Sequence, residues 1–203
     1  MSENIINMLP KTNLGELFHI GTMDINNRSE HTYEGHMGLS VSCLPDEWAT
    51  IASLGGDTYE LINKNGTFFD HHKLNEEMWK NVFTWAVNEG YLMPHTYFAF
   101  DYEDCEWEMI LRSTYKTEKE ALDEAGGEHD VFPLQSYAGT DKYAKMVGER
   151  QRDDPKLILT VLAKLHENID GVYWDDTLDV SRLSAPRATI LNERLPRWAI
   201  SQA

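Results

Sequence analysis

The sequence predicts an α+β fold with a mostly antiparallel sheet, and three observations support this prediction. Strand patterns and helix patterns follow one another without the regular alternation that a doubly wound parallel sheet requires. Neither a GxGxxG loop nor a GxxxxGKS loop occurs, so no Rossmann or P-loop nucleotide site is indicated. The 203 residues contain no repeat and no long Gly/Ser/Pro linker, which favours one domain over residues 1–203.

The predicted elements of the N-terminal half are short and are separated by turn residues. Apolar or alternating stretches predict strands over residues 17–22, 38–43, 58–63 and 67–70. A helix that carries Trp48 follows the second strand and stops at two glycines. Asn75 is the predicted N-cap of a helix over residues 76–88, which Gly90 ends.

The middle of the chain is predicted to be an insertion into this domain. A hairpin joins residues 97–100 to residues 106–111 through an acidic loop. Thr117, with Glu120 three residues later, forms a capping box that begins a short helix. We therefore expect a helical and hairpin insertion over about residues 74–169.

The last elements are a helix and two strands. Asp154–Pro155 combines an N-cap with a proline in the first turn, and an apolar helical face follows it. Strands are predicted over residues 171–175 and 189–191, before a final apolar segment around Trp198 and Ile200. We expect the helix to pack against the sheet.

Charge and composition narrow the class of protein. Lys and Arg number 18 against 34 Asp and Glu, a formal net charge of -16, which argues against bulk electrostatic binding to nucleic acid. No basic stretch with a following apolar run opens the chain, and no apolar segment is long enough to span a bilayer. Cys43 and Cys105 lack CxxC or Cys/His spacing, so both are expected to be reduced thiols. We therefore expect a cytoplasmic protein without a membrane segment.

Two motifs on the first strands suggest a family. Phe18–Thr22 reads FHIGT, and Tyr33–Ser42 reads YEGHMGLSVS. They resemble the opening of ADP-ribosyltransferases, which place His-Gly-Thr on the first strand and a Gly-hydrophobic-Tyr/Ser pattern on the second. In this chain Ile20 is an extra residue between the histidine and the glycine. The order of elements as far as Asp70 is similar to that of the small rifamycin-modifying members.

The resemblance implies that NAD is a substrate and that a split, mostly antiparallel sheet of ADP-ribosyltransferase type binds it. His19 would donate to or accept from a hydroxyl of the adenosine-side ribose, Ser40 would fix the nicotinamide ribose, and Tyr33 would stack on the nicotinamide. The glycine-flexed backbone beside Thr22 would let the dinucleotide approach closely. The implied NAD-binding residues are His19, Gly21, Thr22, Tyr33, Gly38, Leu39 and Ser40.

The catalytic acid is less clearly marked. Breaking the nicotinamide glycosidic bond develops an oxocarbenium-like ribose, which a carboxylate can stabilise. The strand that ends at Asp70 resembles the one that supplies this acid in the rifamycin-modifying enzymes. Asp170–Asp175 and Ala188–Glu193 resemble the last strands of the superfamily, where many members begin the final strand with a catalytic Glu. Arg187 occupies that place, which leaves Asp70, or else Asp175 and Asp176, as the candidate acid.

Each of these residues also has a purely structural interpretation. His19 alone would more often be a hydrogen-bonded strand histidine than a ligand contact. Ser40 could belong to the polar face of a strand, Asp70 to the N-terminal region of the following helix, and Asp175 to a solvated turn.

A metal-dependent hydrolase is a further alternative, suggested by imidazoles and a carboxylate at Asp70, His71, His72, His19, His31 and His36. Adjacent histidines point to opposite faces of a strand and seldom bind one ion together. We therefore expect no metal.

The resemblance implies an enzyme that transfers ADP-ribose from NAD to an acceptor. The sequence does not identify the acceptor as protein, nucleic acid or small molecule. Because the insertion is larger than a minimal drug-modifying enzyme needs, we expect a macromolecular acceptor, as in a toxin or phage-defence effector. The alternative from another class is a non-catalytic antitoxin, immunity protein or inhibitor whose acidic surface engages a basic partner. If the chain is a transferase of this kind, a protein antitoxin or inhibitor is an expected partner.

Overall fold

The computed structural model describes residues 2–24, 37–52, 54–103, 106–109, 115–124, 132–152, 157–175 and 186–203. The helices are α1 (Ser2–Met8), α2 (Pro45–Ala52), α3 (Glu76–Asn88), α4 (Glu118–Glu124), α5 (Asp141–Val147) and α6 (Ile158–Lys164). The strands are β1 (Lys11–Asn13), β2 (Glu16–Ile20), β3 (Gly38–Ser42), β4 (Thr58–Ile62), β5 (Thr67–Asp70), β6 (Leu92–Glu103), β7 (Glu106–Met109), β8 (Phe132–Gly139), β9 (Gly171–Asp175), β10 (Pro186–Leu191) and β11 (Ala199–Gln202).

The α+β class is confirmed, with a large and mostly antiparallel sheet. Eight strands hydrogen-bond in the order β1-β5-β9-β10-β3-β2-β4-β11, and the smaller second sheet has the order β7-β6-β8. In the large sheet β5 and β9 run parallel, whereas the other registered neighbours are antiparallel. The predicted hairpin lies in the small sheet, where β6 is much longer than the alternating stretch that predicted it.

The large sheet separates two hydrophobic cores. Phe69, Val172 and Leu191 project from one side and pack with buried residues of α1, α3, α5 and α6; we call this side the helical face. The opposite side packs around Trp198, and we call it the Trp198 face. Its buried residues are Leu17, Leu39, Val41, Leu61, Phe68, Ala188, Ile190 and Trp198. Alternation along each strand explains why neighbouring residues belong to different cores.

The residues between β5 and β9 supply much of the helical-face core. Asn75 caps α3 as predicted, since its side chain accepts a 2.9 Å hydrogen bond from the Met78 amide. Of the apolar face predicted for this helix, Leu157, Ile158, Val161 and Leu162 are fully buried, whereas Leu165, which follows the end of α6, is 45% exposed. Asp154–Pro155 lies outside the described residues. The predicted insertion therefore contributes helices that the sheet itself packs against.

The capping box before α4 has a modified form. The Glu120 amide donates to the Thr117 hydroxyl at 3.2 Å, as a capping box requires. The Glu120 carboxylate, however, accepts from the Lys116 amide at 3.1 Å, one residue before the expected N-cap amide.

Among the described residues, no helix combines the length and the apolar character that a membrane crossing requires.

Candidate functional site

The large sheet opens between β2 and β3 beside His19. In these two strands, which are described throughout, only Phe18 and Ser42 form a registered pair. By contrast, β2 pairs with β4 along its whole length. The His19 ring lies at the opening, with Nδ1 2.8 Å from the Ser40 carbonyl oxygen and Nε2 3.1 Å from the Thr22 carbonyl oxygen. A side chain thus bridges two backbone segments where strand pairing has ended.

The His19 ring is nearly enclosed, with 8% of the residue exposed. Both atoms that it faces are hydrogen-bond acceptors. A neutral imidazole carries one N–H and can donate to only one of them, whereas a doubly protonated ring can donate to both. Both of these contacts are made to backbone carbonyls, one on either side of the opening, as expected of a hydrogen-bonded strand histidine.

Two glycines bring backbone segments together beside this ring. Gly21 has a φ of +130° and Gly56 a φ of +122°, values that side-chain-bearing residues rarely adopt. The Gly21 amide donates to the Asp57 carbonyl at 2.9 Å, and a Cβ added at Gly56 would lie 3.2 Å from the Gly21 Cα. A Cβ added at Gly21 would lie 3.5 Å from His19 Nε2. Glycine therefore keeps the space beside Nε2 free of a side chain.

In the second motif, the Ser40 side chain does not project toward His19. Ser40 pairs with Thr189, which in turn pairs with Val172 of the helical face, so the Ser40 side chain projects from that face. His19 is two residues from Leu17 and therefore projects from the same face as Leu17, the Trp198 face on the other side of the sheet. The Ser40 carbonyl contacts His19, but the Ser40 hydroxyl and the imidazole lie on opposite faces.

Gly38 and Leu39 are held by packing. A Cβ at Gly38 would lie 2.6 Å from the Ile190 carbonyl oxygen, so glycine is required for the close approach of β3 and β10. Leu39 is buried in the core of the Trp198 face. Thr22, in contrast, is exposed, and its hydroxyl accepts from the Asp24 amide at 3.1 Å.

Asp70 lies far from His19. It pairs with Tyr173, four strands from β2 in the sheet order, which corresponds to roughly 19 Å at the usual strand spacing. Val41 and Ala188, on the same face between them, are 0% exposed, so no open groove joins the two residues there.

The Asp70 carboxylate is itself unusual. The residue is 2% exposed, and Oδ2 lies 2.7 Å from Lys73 Nζ. Its Oδ1 has no hydrogen-bond partner among the described residues.

Asp175 and Arg187 lie together at one end of the sheet. Asp175 lies on β9, three strands from β2, and its backbone pairs with Pro186 of β10. Asp176 lies outside the described residues. Arg187 pairs with both Trp174 and Ser42, and its guanidinium carbon lies 5.5 Å from the Trp174 ring centroid. A cation therefore occupies the place where the resemblance leads one to look for a carboxylate.

Asp170 and Gly171, the first two residues of the Asp170–Asp175 motif, have a structural role. Asp170 Oδ2 accepts from the Thr67 amide at 2.9 Å, and the Asp170 amide and carbonyl bond Thr67 and Leu191. A Cβ at Gly171 would overlap the Thr189 carbonyl. These contacts join β5, β9 and β10, so Asp170 and Gly171 serve the packing of the sheet.

The predicted histidine cluster is only partly described. Tyr33, His31 and His36 lie outside the described residues. His71 packs edge-on against Trp79, with ring centroids 5.3 Å apart, and His72 is exposed. Within the described ranges, no group of three His, Cys, Asp or Glu side chains could hold a metal ion.

Among the described residues, His19, Gly21 and Thr22 therefore lie at the sheet opening. Gly56 and Tyr59 lie next to them, and neither was predicted from the sequence as a site residue. Tyr59 pairs directly with His19. Detecting it would have required the register of β4 on β2, which one sequence does not contain. Comparisons of the chain with protein-family models, curated proteins and solved structures found no match.

Proposed function

We propose that the chain is an NAD-dependent ADP-ribosyltransferase that binds NAD where the sheet opens between β2 and β3 and transfers ADP-ribose to a macromolecular acceptor. The observation that carries this proposal is the opening itself, which begins just beyond the single Phe18–Ser42 pair and contains the His19 ring. The resemblance implies a split sheet with a histidine of this kind on its first strand. The opening therefore supports the sequence motif with an independent feature of the fold.

The residues at the opening suit the adenosine half of NAD. The contact of His19 Nε2 with the Thr22 carbonyl, 3.1 Å long, can be exchanged for a contact with a ribose hydroxyl without loss of a hydrogen bond. The contact of Nδ1 with Ser40 holds the ring in place during this exchange. Because Gly21 has no side chain, a sugar can approach Nε2 closely.

In the proposed reaction, the bond between the nicotinamide nitrogen and the ribose C1′ breaks, and its electron pair leaves with nicotinamide. A nucleophilic atom of the acceptor then bonds C1′ and loses its proton to solvent. The positive charge that develops on the ribose requires a carboxylate nearby. Since the two riboses of NAD are separated by the pyrophosphate, this carboxylate need not adjoin His19.

Asp175 is the carboxylate that we favour over Asp70. It is one strand nearer to β2 in the sheet order. Its partner toward β3, Pro186, is half-buried, whereas Ala188 and Val41, which lie between Asp70 and His19, are 0% exposed. Asp70 also has an ammonium partner, Lys73, that would offset its charge toward a cationic ribose.

Nicotinamide release from NAD tests the proposal and the choice of acid. We expect the wild-type protein to release nicotinamide, Asp175→Asn to lose at least about a hundredfold in rate while still binding NAD, and Asp70→Asn to retain the rate. Asp123→Asn, a change in an exposed carboxylate, is the matched control. Loss of release only in Asp70→Asn would reassign the acid. Absence of release by folded wild-type protein, both alone and with a cell extract as the source of acceptors, would refute transferase activity.

Two observations favour a second candidate function, that of a non-catalytic interaction protein. Arg187 lies where the resemblance expects the acid, and the chain has a net charge of -16, which suits a basic partner. NAD binding distinguishes the two candidates. A folded protein that ignores NAD but binds a basic protein, with an affinity that falls steeply as salt rises, would support the second.

A further inference from the structure

Tyr59 lies directly opposite His19 in the sheet, although none of the sequence motifs includes it. The two residues are directly opposite each other in the β2–β4 ladder, so their side chains project from the same face of the sheet. Their ring centroids lie 6.4 Å apart and their planes are inclined by 29°. An imidazole and a phenol thus stand side by side on the Trp198 face, with the imidazole next to the sheet opening and the phenol one strand farther from β3.

The Tyr59 ring lies at the margin of the Trp198-face core. The residue is half-buried and packs partly against that core, whereas Leu61, next on the same face of β4, is 0% exposed. In the loop before β4, Gly55 and Gly56 are exposed, and a Cβ added at Gly55 would meet nothing within 4 Å. On its other side Tyr59 pairs with Gln202 of β11, which is also exposed, so the ring lies partly packed on the core and partly next to exposed residues.

We infer that Tyr59 is the platform on which the adenine base of NAD stacks; this inference rests on the proposed function. If His19 holds the adenosine-side ribose, the base attached to that ribose lies within reach of the neighbouring ring. Tyr59 is on the β4 side of His19, away from β3 and from the carboxylates beyond it. The base therefore stacks on the β4 side, and the pyrophosphate extends in the other direction.

Calorimetric titrations with NAD, AMP and nicotinamide mononucleotide test this inference. Stacking of a base on an aromatic side chain is lost in Tyr59→Leu and kept in Tyr59→Phe. We expect Tyr59→Leu to weaken NAD and AMP binding about tenfold or more, Tyr59→Phe to stay within about threefold of wild type, and nicotinamide mononucleotide binding to be unchanged. Thermal unfolding of each variant fixes a temperature at which all are folded.

Tyr173→Leu is the matched control. Tyr173 is also half-buried and packs against the same core, but it lies three strands from β2, so its loss should leave AMP affinity unchanged. Wild-type affinity for AMP in Tyr59→Leu would overturn the inference, as would an equal loss in Tyr59→Leu of affinity for AMP and for nicotinamide mononucleotide. Wild-type protein that binds neither NAD nor AMP would instead refute the proposed function, and this inference with it.

Discussion

His19 Nδ1 lies 2.8 Å from the carbonyl oxygen of Ser40, at the point where β2 and β3 cease to pair. The imidazole thereby contacts a backbone carbonyl at the edge of the opening. His19 is thus both part of the fold and part of the proposed site. Its substitution should change stability and ligand binding together, and the two effects must be measured separately.

Replacing His19 with a ring that cannot hydrogen-bond should destabilise the protein. His19→Phe keeps an aromatic ring but leaves the Ser40 and Thr22 carbonyls without their imidazole contacts. We expect the free energy of unfolding to fall by about 1–3 kcal/mol, measured by urea denaturation. His72→Phe, at an exposed position, is the control and should stay within about 0.5 kcal/mol of wild type. Equal stabilities of the two variants would contradict this role of His19.

Gly21 should be required for ligand approach as well as for its backbone conformation. Gly21→Ala adds a Cβ about 3.5 Å from His19 Nε2, in the space assigned to the ribose. Gly90→Ala is the control for a side chain at positive φ, since Gly90 has a φ of +72° and open space around it; its backbone strain is smaller than that of Gly21→Ala. We expect both variants to lose about 1 kcal/mol or more of stability, and only Gly21→Ala to lose NAD affinity. Unchanged NAD affinity in Gly21→Ala would place the ligand elsewhere.

Gly66 should tolerate no side chain, because it lies under Trp198. A Cβ there would lie 2.7 Å from the Trp198 Cη2 atom and would also overlap the Leu14 carbonyl. We expect Gly66→Ala to lower the free energy of unfolding by about 1–3 kcal/mol through overpacking. Gly55→Ala, with nothing within 4 Å of the added atom, should change it by less than about 0.5 kcal/mol. The reverse order would show that Trp198 repacks freely.

The Glu193–Lys164 ion pair should stabilise the fold only above acidic pH. Partial burial acts to raise the pKa of Glu193, but the hydrogen bond and charge of Lys164, with the charge of Arg194, outweigh it and hold that pKa below its ordinary 4.5. A carboxyl with a lowered folded-state pKa stabilises above its unfolded-state pKa, and the effect is lost as pH falls through the folded value.

Because Glu193 and Lys164 are 46% and 32% exposed, the pair should contribute less than about 1 kcal/mol. Unfolding free energies of wild type and Glu193→Gln should differ at neutral pH and converge as the pH falls below 4.5. Lys164→Met should show the same convergence. A difference that does not vary with pH would mean that the charge of Glu193 is not its source.

Local signals predicted the elements whose ends are fixed by neighbouring residues. The range of α3 was predicted because Asn75 caps its start and Gly90 follows its end, and β5 and β9 were predicted with the ends that they have. The strand β1 was missed because Lys11–Asn13 is polar and extends only by pairing with β5. Its conformation depends on a partner distant in sequence, and no local pattern carries that information.

The candidate site shows the same division. Gly21 was singled out from a short motif, and it has the positive φ that makes glycine informative in a sequence. The face that Ser40 occupies relative to His19 depends on how β2 and β3 are aligned, which alternation within either strand cannot determine. The distance from His19 to Asp70 depends on the order of strands across the whole sheet. The sequence therefore indicated individual residues, such as Gly21, better than it indicated which residues lie close together in the fold.

Calorimetric titration of the protein with NAD, in parallel with His19→Gln and the exposed control His72→Gln, tests the central claim most directly. We predict saturable binding to wild type and His72→Gln, and at least about tenfold weaker binding to a folded His19→Gln protein, since one hydrogen bond to the ribose is worth about 1.4 kcal/mol or more in a site of this kind. Absence of NAD binding by folded wild-type protein, or equal affinity in His19→Gln, would contradict the assignment of the sheet opening as an NAD site.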